Sequence, residues 1–484
     1  METARFTNYG ELTGHGRTKL RADALAIAAA GLRAVDPADE LARSLRLEGD
    51  RLIVRGTPIY GLGEPRVEAK TSAHGVAAIE AETVVDLGGR RLFLLGAGKA
   101  TPGMAGVLDE LLGHRFADAA IVVKQGQAKR YALRHIEVLE AAHPLPDESS
   151  LAGGLRLLAV AGAARAGDLV IALVTGGSSA LAVVPDEGIS LADKIETNRL
   201  LLASGAGIVD INSVRKHLSA IKGGRLGLAC GCEILNFTVS DVVGDPLDSI
   251  TDPTVPDSST WASAQGVCDR YALWDALPPA VAARLRRADP AQETPRALPA
   301  VRTWFMADAA RMCLASMAEA RDRGYATELL GLDWQGEARA AGAALARRLA
   351  GAAPQSCLVA GGEHTVTLGT GAARRGGPSQ EAALAAALEL TGGPAATMLE
   401  PAGGAPAAVL CLDSDGSDGP TDAAGGLVDD VSAATMASSG CDVGAALTSH
   451  ESYEALARAG DLVFMGPTDT NVNDLKIGLR GVGG

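Results

Sequence analysis

Two short, wholly apolar runs, Leu92 to Leu95 and Leu169 to Val174, each empty into a glycine-rich stretch: Gly96-Ala97-Gly98-Lys99-Ala100-Thr101 and Thr175-Gly176-Gly177-Ser178-Ser179-Ala180. The runs are too short for amphipathic helices and too apolar for half-exposed strands, so they predict buried parallel strands. Glycine lets backbone N–H groups approach an anion, and a following helix adds its positive N-terminal end. The pattern predicts phosphate or carboxylate binding, with Lys99 placed to meet the anion.

A chain of 484 residues exceeds the roughly 250 to 300 that one hydrophobic core supports, which predicts two domains with a ligand cleft between them. The balance of 44 basic against 58 acidic residues, net −14, argues against a nucleic-acid partner and against anionic membranes. Fifty-nine glycines and an aromatic share of 3% suit an α/β enzyme with many strand-to-helix turns. Seven scattered cysteines without C-x-x-C spacing suggest neither a disulfide framework nor a zinc site. Met1 to Gly16 is polar and no apolar run approaches a membrane span, so a cytoplasmic protein is expected.

Along the chain, Leu20 to Leu45 has helical spacing broken at Pro37, and strand signals follow at Arg51 to Val54, Leu92 to Leu95, Ala119 to Val123, Leu169 to Val174 and Ile234 to Ser240. Helical stretches such as Gly103 to Gly113 and Ser149 to Ala166 alternate with them, which predicts a doubly wound parallel sheet. Proline-rich Gly244 to Ala300 marks the domain boundary. The helical piece Asp308 to Gly324 then leads to strands at Thr327 to Leu330, Ser356 to Val359, Thr365 to Leu368, Ala407 to Leu412 and Leu462 to Met465, a second α/β domain. Within it Gln380 to Leu390 reads as a helix with Ser379 as N-cap and Gly392 as its close.

The first loop is neither of two familiar phosphate motifs. Phe93 stands where a Walker A loop needs glycine, and Thr101 where a dinucleotide fingerprint needs its third glycine. Asn212-Ser213-Val214-Arg215-Lys216-His217-Leu218 and Ile221-Lys222-Gly223-Gly224-Arg225 then form a cationic segment, either a counter-field for an anion or a solvated helix face. His217 reads as a packed or capping histidine. Carboxylates gather at Asp241, Asp245, Asp248 and Asp252, and again at Asp413, Asp415, Asp418 and Asp422, each group after a predicted strand; such positions can hold a magnesium ion on nucleotide phosphates, or simply form turns. Gly361-Gly362-Glu363-His364-Thr365, Arg374-Arg375-Gly376-Gly377 and Gly466 to Asp474 complete the polar loops.

Taken in order, these blocks resemble the bacterial and archaeal glycerate 2-kinase family, whose C-terminal half is the MOFRL domain and whose members are sometimes labelled hydroxypyruvate reductase. The resemblance also rests on Glu187-Gly188-Ile189, Pro253-Thr254-Val255-Pro256-Asp257 and Asp415 to Ala423. It implies a Rossmann-like domain over 1–260, connecting helices over 261–325 and a MOFRL domain over 326–484, with ATP-dependent phosphorylation of the 2-hydroxyl of D-glycerate in the cleft between domains. Lys99 and Arg375 are implied as catalytic. Gly177, Ser178, Ser179, Asn212, Arg215 and Lys216 are implied for the acceptor, and Lys222, Gly361, Gly362, Glu363, Asp415, Gly416, Asp418, Thr468, Asn471 and Asn473 for the nucleotide. Asp241 and Asp245 are implied for Mg²⁺, and a homodimer is compatible with the family. Lysine, arginine and a metal suffice for phosphoryl transfer, which is mainly positioning and charge neutralisation.

The chain departs from the family pattern at Pro378-Ser379, where a second arginine and an asparagine are usual, and around Pro246 and Ile250 to Asp252. These departures bear on the acceptor more than on the kinase chemistry. A kinase of another small hydroxy acid, a nicotinamide-dependent hydroxypyruvate reductase and a non-catalytic ligand sensor are the alternatives that stay open.

Overall fold

The computed structural model describes residues 5–56, 58, 81–239, 252–298, 300–368, 375–392 and 405–482. In it the two apolar runs are the strands Leu92–Ala97 and Leu169–Val174, buried along their whole length and paired in parallel from Leu92 opposite Leu169 to Ala97 opposite Val174. They lie at the centre of a six-stranded sheet ordered Glu137–Ala141, Phe116–Lys124, Leu92–Ala97, Leu169–Val174, Glu233–Val239, Val301–Ala307. Chain progress runs outward on one side of Leu92–Ala97 and then resumes on the other, the order of a doubly wound sheet whose ligand crevice opens at the switch point. Both glycine loops leave the sheet there.

This sheet belongs to a unit formed by Pro37–Ser240 and Asp245–Met306, while Met1–Asp36 and Ala307–Gly484 form a second. These units divide the chain at Asp36/Pro37 and at Met306/Ala307. The helix Thr18–Ala34 sits on the helix Ala309–Asp322 so closely that a Cβ on Gly31 would lie 2.2 Å from Ser316 Oγ. The helices Trp261–Arg270 and Pro279–Arg287, expected as connectors, bury Trp261, Val267, Val281 and Leu285 against Leu201, Ile211 and Val214 of the first unit.

A second difference concerns Arg51–Arg55. It lies outside the parallel sheet, in a three-stranded antiparallel one with Leu45–Glu48 and Glu82–Asp86. Gly49 at φ +61° and Asp50 close a two-residue hairpin before it, and hairpin strands pair with each other rather than cross over. The pause at Pro37 does split the helices, Thr18–Ala34 from Pro37–Ser44, with proline opening the second.

The second unit carries a mixed six-stranded sheet ordered Ala326–Gly331, Ser356–Gly362, Asp474–Arg480, Ala407–Asp413, Gly425–Asp429, Leu462–Val463. Its central strand, Asp474–Arg480, runs antiparallel to both neighbours. The helix Pro378–Leu390 is buried along Ser379 to Ala387 and forms the middle of the core. Its N-cap is Gly377, not Ser379, which lies inside the first turn. The strand expected at Thr365 to Leu368 is reduced to His364–Thr365, paired with Gly336–Glu337.

Candidate functional site

In the first unit the two glycine loops are sewn to each other. The Lys99 N–H donates to Gly176 O at 2.9 Å, the Thr175 N–H to Ala97 O at 3.1 Å and the Gly98 N–H to Val122 O at 3.2 Å, while the Ala100 N–H donates to Thr175 Oγ1 at 3.1 Å. A side chain at Gly98, φ +139°, would place its Cβ 2.0 Å from Thr175 Oγ1, so only glycine permits this approach. The expected backbone anion cradle is thereby narrowed: the N–H groups of Lys99 and Ala100 join the two loops and that of Gly98 bonds the neighbouring strand at Val122 O. What the loop presents is the Lys99 side chain. That side chain lies over Gly177, where a Cβ would stand 3.4 Å from Lys99 Cγ and 3.2 Å from the His143 ring. Gln127 Nε2 donates to Lys99 O at 3.0 Å and fixes the turn from below.

Ser178 opens the four-residue helix Ser178–Leu181 after Gly177, and the cationic segment meets this turn. Lys222 Nζ donates to Ser179 O at 2.9 Å, so Lys222, expected at the nucleotide, stands beside a residue expected at the acceptor. Arg215 Nη1 donates to Asn212 Oδ1 at 3.1 Å. Lys216, Lys222 and Asn212 are buried, which excludes the solvated-face reading. Lys216 pairs with Asp257 at 2.7 Å; burial alone would raise that carboxyl, but the ammonium holds it below the usual range. His217 is enclosed, with Nε2 2.7 Å from Glu293 Oε1 and Nδ1 2.7 Å from Ser213 O, in keeping with a packed histidine. Burial, reinforced by Arg215 and Lys194, pushes Lys222 well below the ordinary lysine range.

In the second unit the loops 413–418 and 466–474 are laced together. The Thr468 N–H donates to Asp415 O at 3.2 Å and the Ser414 N–H to Asn473 O at 3.3 Å, and the Val472 N–H donates to Ser414 Oγ at 2.9 Å. Gly416, at φ +94°, comes so near Gly466 that a Cβ would be 2.5 Å from its carbonyl oxygen. These loops frame a cavity of about 240 Å³ lined by Glu363, His364, Asp413, Asp418, Asn471, Asn473 and Asp474. Gly361 and Gly362 end the strand before it, and a Cβ on Gly362 would fall 2.2 Å from Trp334 O. Burial, then Asp415 and Asp474, pushes the Asp413 carboxyl well above its ordinary range, and burial with Asp474 raises Asp418 to about 7. Asp474 is held low in spite of its burial by Lys476, 3.0 Å away.

This acidic group does not fit a preformed magnesium site. Asp418 accepts the Ser379 and Gln380 N–H groups at 3.1 and 2.8 Å, Asp474 is engaged by Lys476, and Asp415 closes a turn by accepting from the Ser417 N–H at 2.8 Å. No group of three or more His, Cys, Asp or Glu among the described residues is arranged to hold a metal ion. Asp241 and Asp245, the expected metal ligands, lie outside the described residues, as does Arg374. Arg375 is half-exposed, its guanidinium 3.5 Å from the centre of the Tyr453 ring and 2.9 Å from Asp422 Oδ1. The helix start after Gly377 does not receive an arginine-bound anion, because the buried Asp418 carboxylate occupies it.

His143, Lys194 and Lys476 carry no signal in the sequence that marks them as part of a site. Lys194 and Lys476 lie within helix and strand patterns that conceal a buried charge, and His143 sits in a polar loop whose contact with Gly177 depends on tertiary structure.

A parallel sheet with a lysine at its switch point and, in the same chain, a mixed-sheet unit with a polar cavity define a two-unit α/β protein. Residues 23–286 match the family described as Domain of unknown function (DUF4147), and residues 356–474 match the MOFRL family. The chain is 35% identical over 471 residues to glycerate 2-kinase of Pyrococcus horikoshii, covering 95% of this chain and 97% of the relative. One relative from Agrobacterium vitis, 39% identical over 81% of this chain and 87% of its own, bears the provisional name hydroxypyruvate reductase. The solved structure of glycerate kinase from Thermotoga maritima superposes with a TM-score of 0.71 at 34% identity, covering 81% of this chain and 92% of that one. The chain belongs to the glycerate 2-kinase family of DUF4147–MOFRL proteins. No helix among the described residues is long and apolar enough to cross a membrane.

Proposed function

We propose that this chain phosphorylates the 2-hydroxyl of D-glycerate with ATP, giving 2-phosphoglycerate. The observation that carries the reading is Lys99, held at the sheet's switch point by two mutually bonded loops and adjoining a buried cationic group. In this reading Gly177, Ser178, Ser179, Asn212 and Arg215 receive the hydroxy acid, and Lys222 joins them. Lys216 supports them through Asp257. Lys99 neutralises charge that develops on the transferred phosphoryl group, which is worth most in a water-poor setting. Glu363, Asn471 and Asn473, with Thr468, Asp415, Gly416, Gly361, Gly362 and Asp418 as their scaffold, receive the nucleotide in the second unit. Arg375 leaves its Asp422 and Tyr453 partners to meet the phosphates. Mg²⁺ at Asp241 and Asp245 stays part of the reading, without a step assigned to it.

The test is purified protein with ATP, Mg²⁺ and a panel of small hydroxy acids. ADP is read by a coupled enzyme, the product by mass, and the phosphorylated position by phosphorus NMR. D-glycerate-dependent ADP release with 2-phosphoglycerate as product is expected, and chelation of the metal should abolish it. NADH consumption with hydroxypyruvate and no ADP release with any acceptor would instead make the chain the reductase that some relatives' names suggest.

A further inference from the structure

Lys194, in the first turn of the helix Leu191–Ala203, has no part in the reaction as drawn. It is 2% exposed, and its Nζ donates to Leu218 O at 3.0 Å and to Arg215 O at 3.4 Å. These carbonyls end the helix Ile208–His217, which carries Asn212 and Arg215, so Lys194 grips the element that presents the acceptor residues. Lys222, 3% exposed, stands on Ser179 O, and Arg215 Nε is buried without a hydrogen-bond partner. Three cations thus share one enclosed place, and no ion pair joins any of them to a carboxylate among the described residues. The nearby charges are already committed: Asp186, in the turn before the Lys194 helix, to Arg284 at 2.5 Å and Arg225 at 3.9 Å; Asp257 to Lys216; and Glu293 to His217.

A nest of buried cations with no counter-charge is costly when fully charged, and two of its members relieve the cost by shedding protons. Burial, then Arg215, pushes Lys194 down to about 7, with Asp186 opposing and Arg225 adding to the shift. An anion entering the nest reverses the balance.

We propose that the acceptor's carboxylate enters the nest of Arg215, Lys222 and Lys194 together with one proton taken from solvent, and that Lys194 is the positioning residue on which the proton comes to rest. No bond is made or broken: a neutral amine, a proton and a carboxylate become an ammonium–carboxylate pair in an enclosed site. This rests on the acceptor reading given above, and it adds a pH dependence to it. The sign follows from the lowered value. Below about pH 7 Lys194 is already charged and binding takes up little; above it each binding event must draw a proton, so acceptor affinity falls by up to about tenfold per pH unit.

The experiment is titration calorimetry of the full chain with D-glycerate at pH 7.5, in HEPES and in Tris, whose ionisation heats differ. The dependence of the binding heat on the buffer's ionisation heat should report net proton uptake, clearly reduced in Lys194→Met, a substitution that fills the same buried volume with an apolar chain. Melting curves without ligand establish that the variant is folded. Lys194→Arg, charged at every accessible pH, should bind without proton uptake and serves if the methionine variant does not fold. Binding with heats independent of the buffer would overturn the proton coupling while leaving the acceptor reading intact. Equal uptake in the natural and variant chains would overturn the assignment to Lys194. A failure of D-glycerate to bind at all would instead overturn the acceptor reading, and this inference with it.

Discussion

Asp418 has a structural duty that its sequence position does not reveal. Its position after a strand, in a run of aspartates, suggests a ligand for magnesium or nucleotide. In the structure it is 1% exposed and accepts from Ser379 and Gln380 at the start of the helix Pro378–Leu390, capping from a distance a helix whose own Gly377 offers no side chain. Burial and Asp474 raise its carboxyl to about 7, against 3.8 in an unfolded chain. The folded state therefore holds that proton more tightly, and the contribution of Asp418 to stability falls as pH rises from about 4 through 7. Asp418→Asn keeps an acceptor and removes the titration. Urea denaturation at pH 5 and pH 8 should show a smaller loss of stability with rising pH in the variant; an unchanged loss would mean that another group carries it.

At the scale of elements, the closest packing lies between the helices Ala338–Gly351 and Pro378–Leu390. A Cβ on Gly342 would be 1.9 Å from Ala382 O and 2.6 Å from its carbonyl carbon. Both partners are backbone, which cannot turn aside as a side chain would. Helix propensity favours Gly342→Ala by about 1 kcal/mol, while overpacking costs about 1 to 3 kcal/mol or more, so a net destabilisation is expected in chemical denaturation. A gain in stability would show that the helix pair separates freely. Strands that are apolar throughout, Leu92–Ala97 and Leu169–Val174, are legible in the sequence nearly to the residue, because a strand buried on both faces leaves an unbroken run. Asp474–Arg480, the centre of the second sheet, is not legible in the same way. There Leu475, Ile477 and Leu479 alternate with Lys476 and Gly478, the pattern of a strand with one wet face, yet Lys476 is 0% exposed and neutralised by Asp474. A buried ion pair disguises a central strand as an edge. The candidate site was legible in the same uneven way: Lys99 and the Asn212–Arg225 segment stand out as chemistry in an acidic chain, whereas Lys194 looks like any lysine on a helix.

At the scale of the molecule, the first 36 residues are part of a unit whose remaining chain begins at Ala307. Arg21 is the tie. It is 1% exposed and its guanidinium donates to Asp429 Oδ2 at 2.6 Å, Asp461 Oδ1 at 2.7 Å and Ser432 Oγ at 3.0 Å. Arg21→Met would leave two carboxylates buried without their cation, an error that costs about 3 to 5 kcal/mol, and should lower the melting temperature of the full chain. Replacing Asp429 and Asp461 by asparagine in the same variant should recover part of the loss, since the unpaired charges are then gone; no recovery would mean that Arg21 acts through packing alone.

Lys99 and Arg375 are 276 positions apart in the sequence and belong to different units. If both neutralise the same transferred phosphoryl group, each stabilises a charge that exists only in the transition state, so Lys99→Ala and Arg375→Ala should each lower kcat by roughly 100-fold with smaller changes in KM. Groups acting as one device are not additive: once either is missing, the other has less transition state left to stabilise. The double variant should therefore be only a few-fold slower than the worse single one. Two independent roles would instead multiply to a loss of roughly 10,000-fold. A rise in KM alone for ATP on Arg375→Ala, with kcat kept, would reduce that arginine to a docking residue for the nucleotide, and its stacking on Tyr453 with Asp422 would then be its working position rather than a resting one.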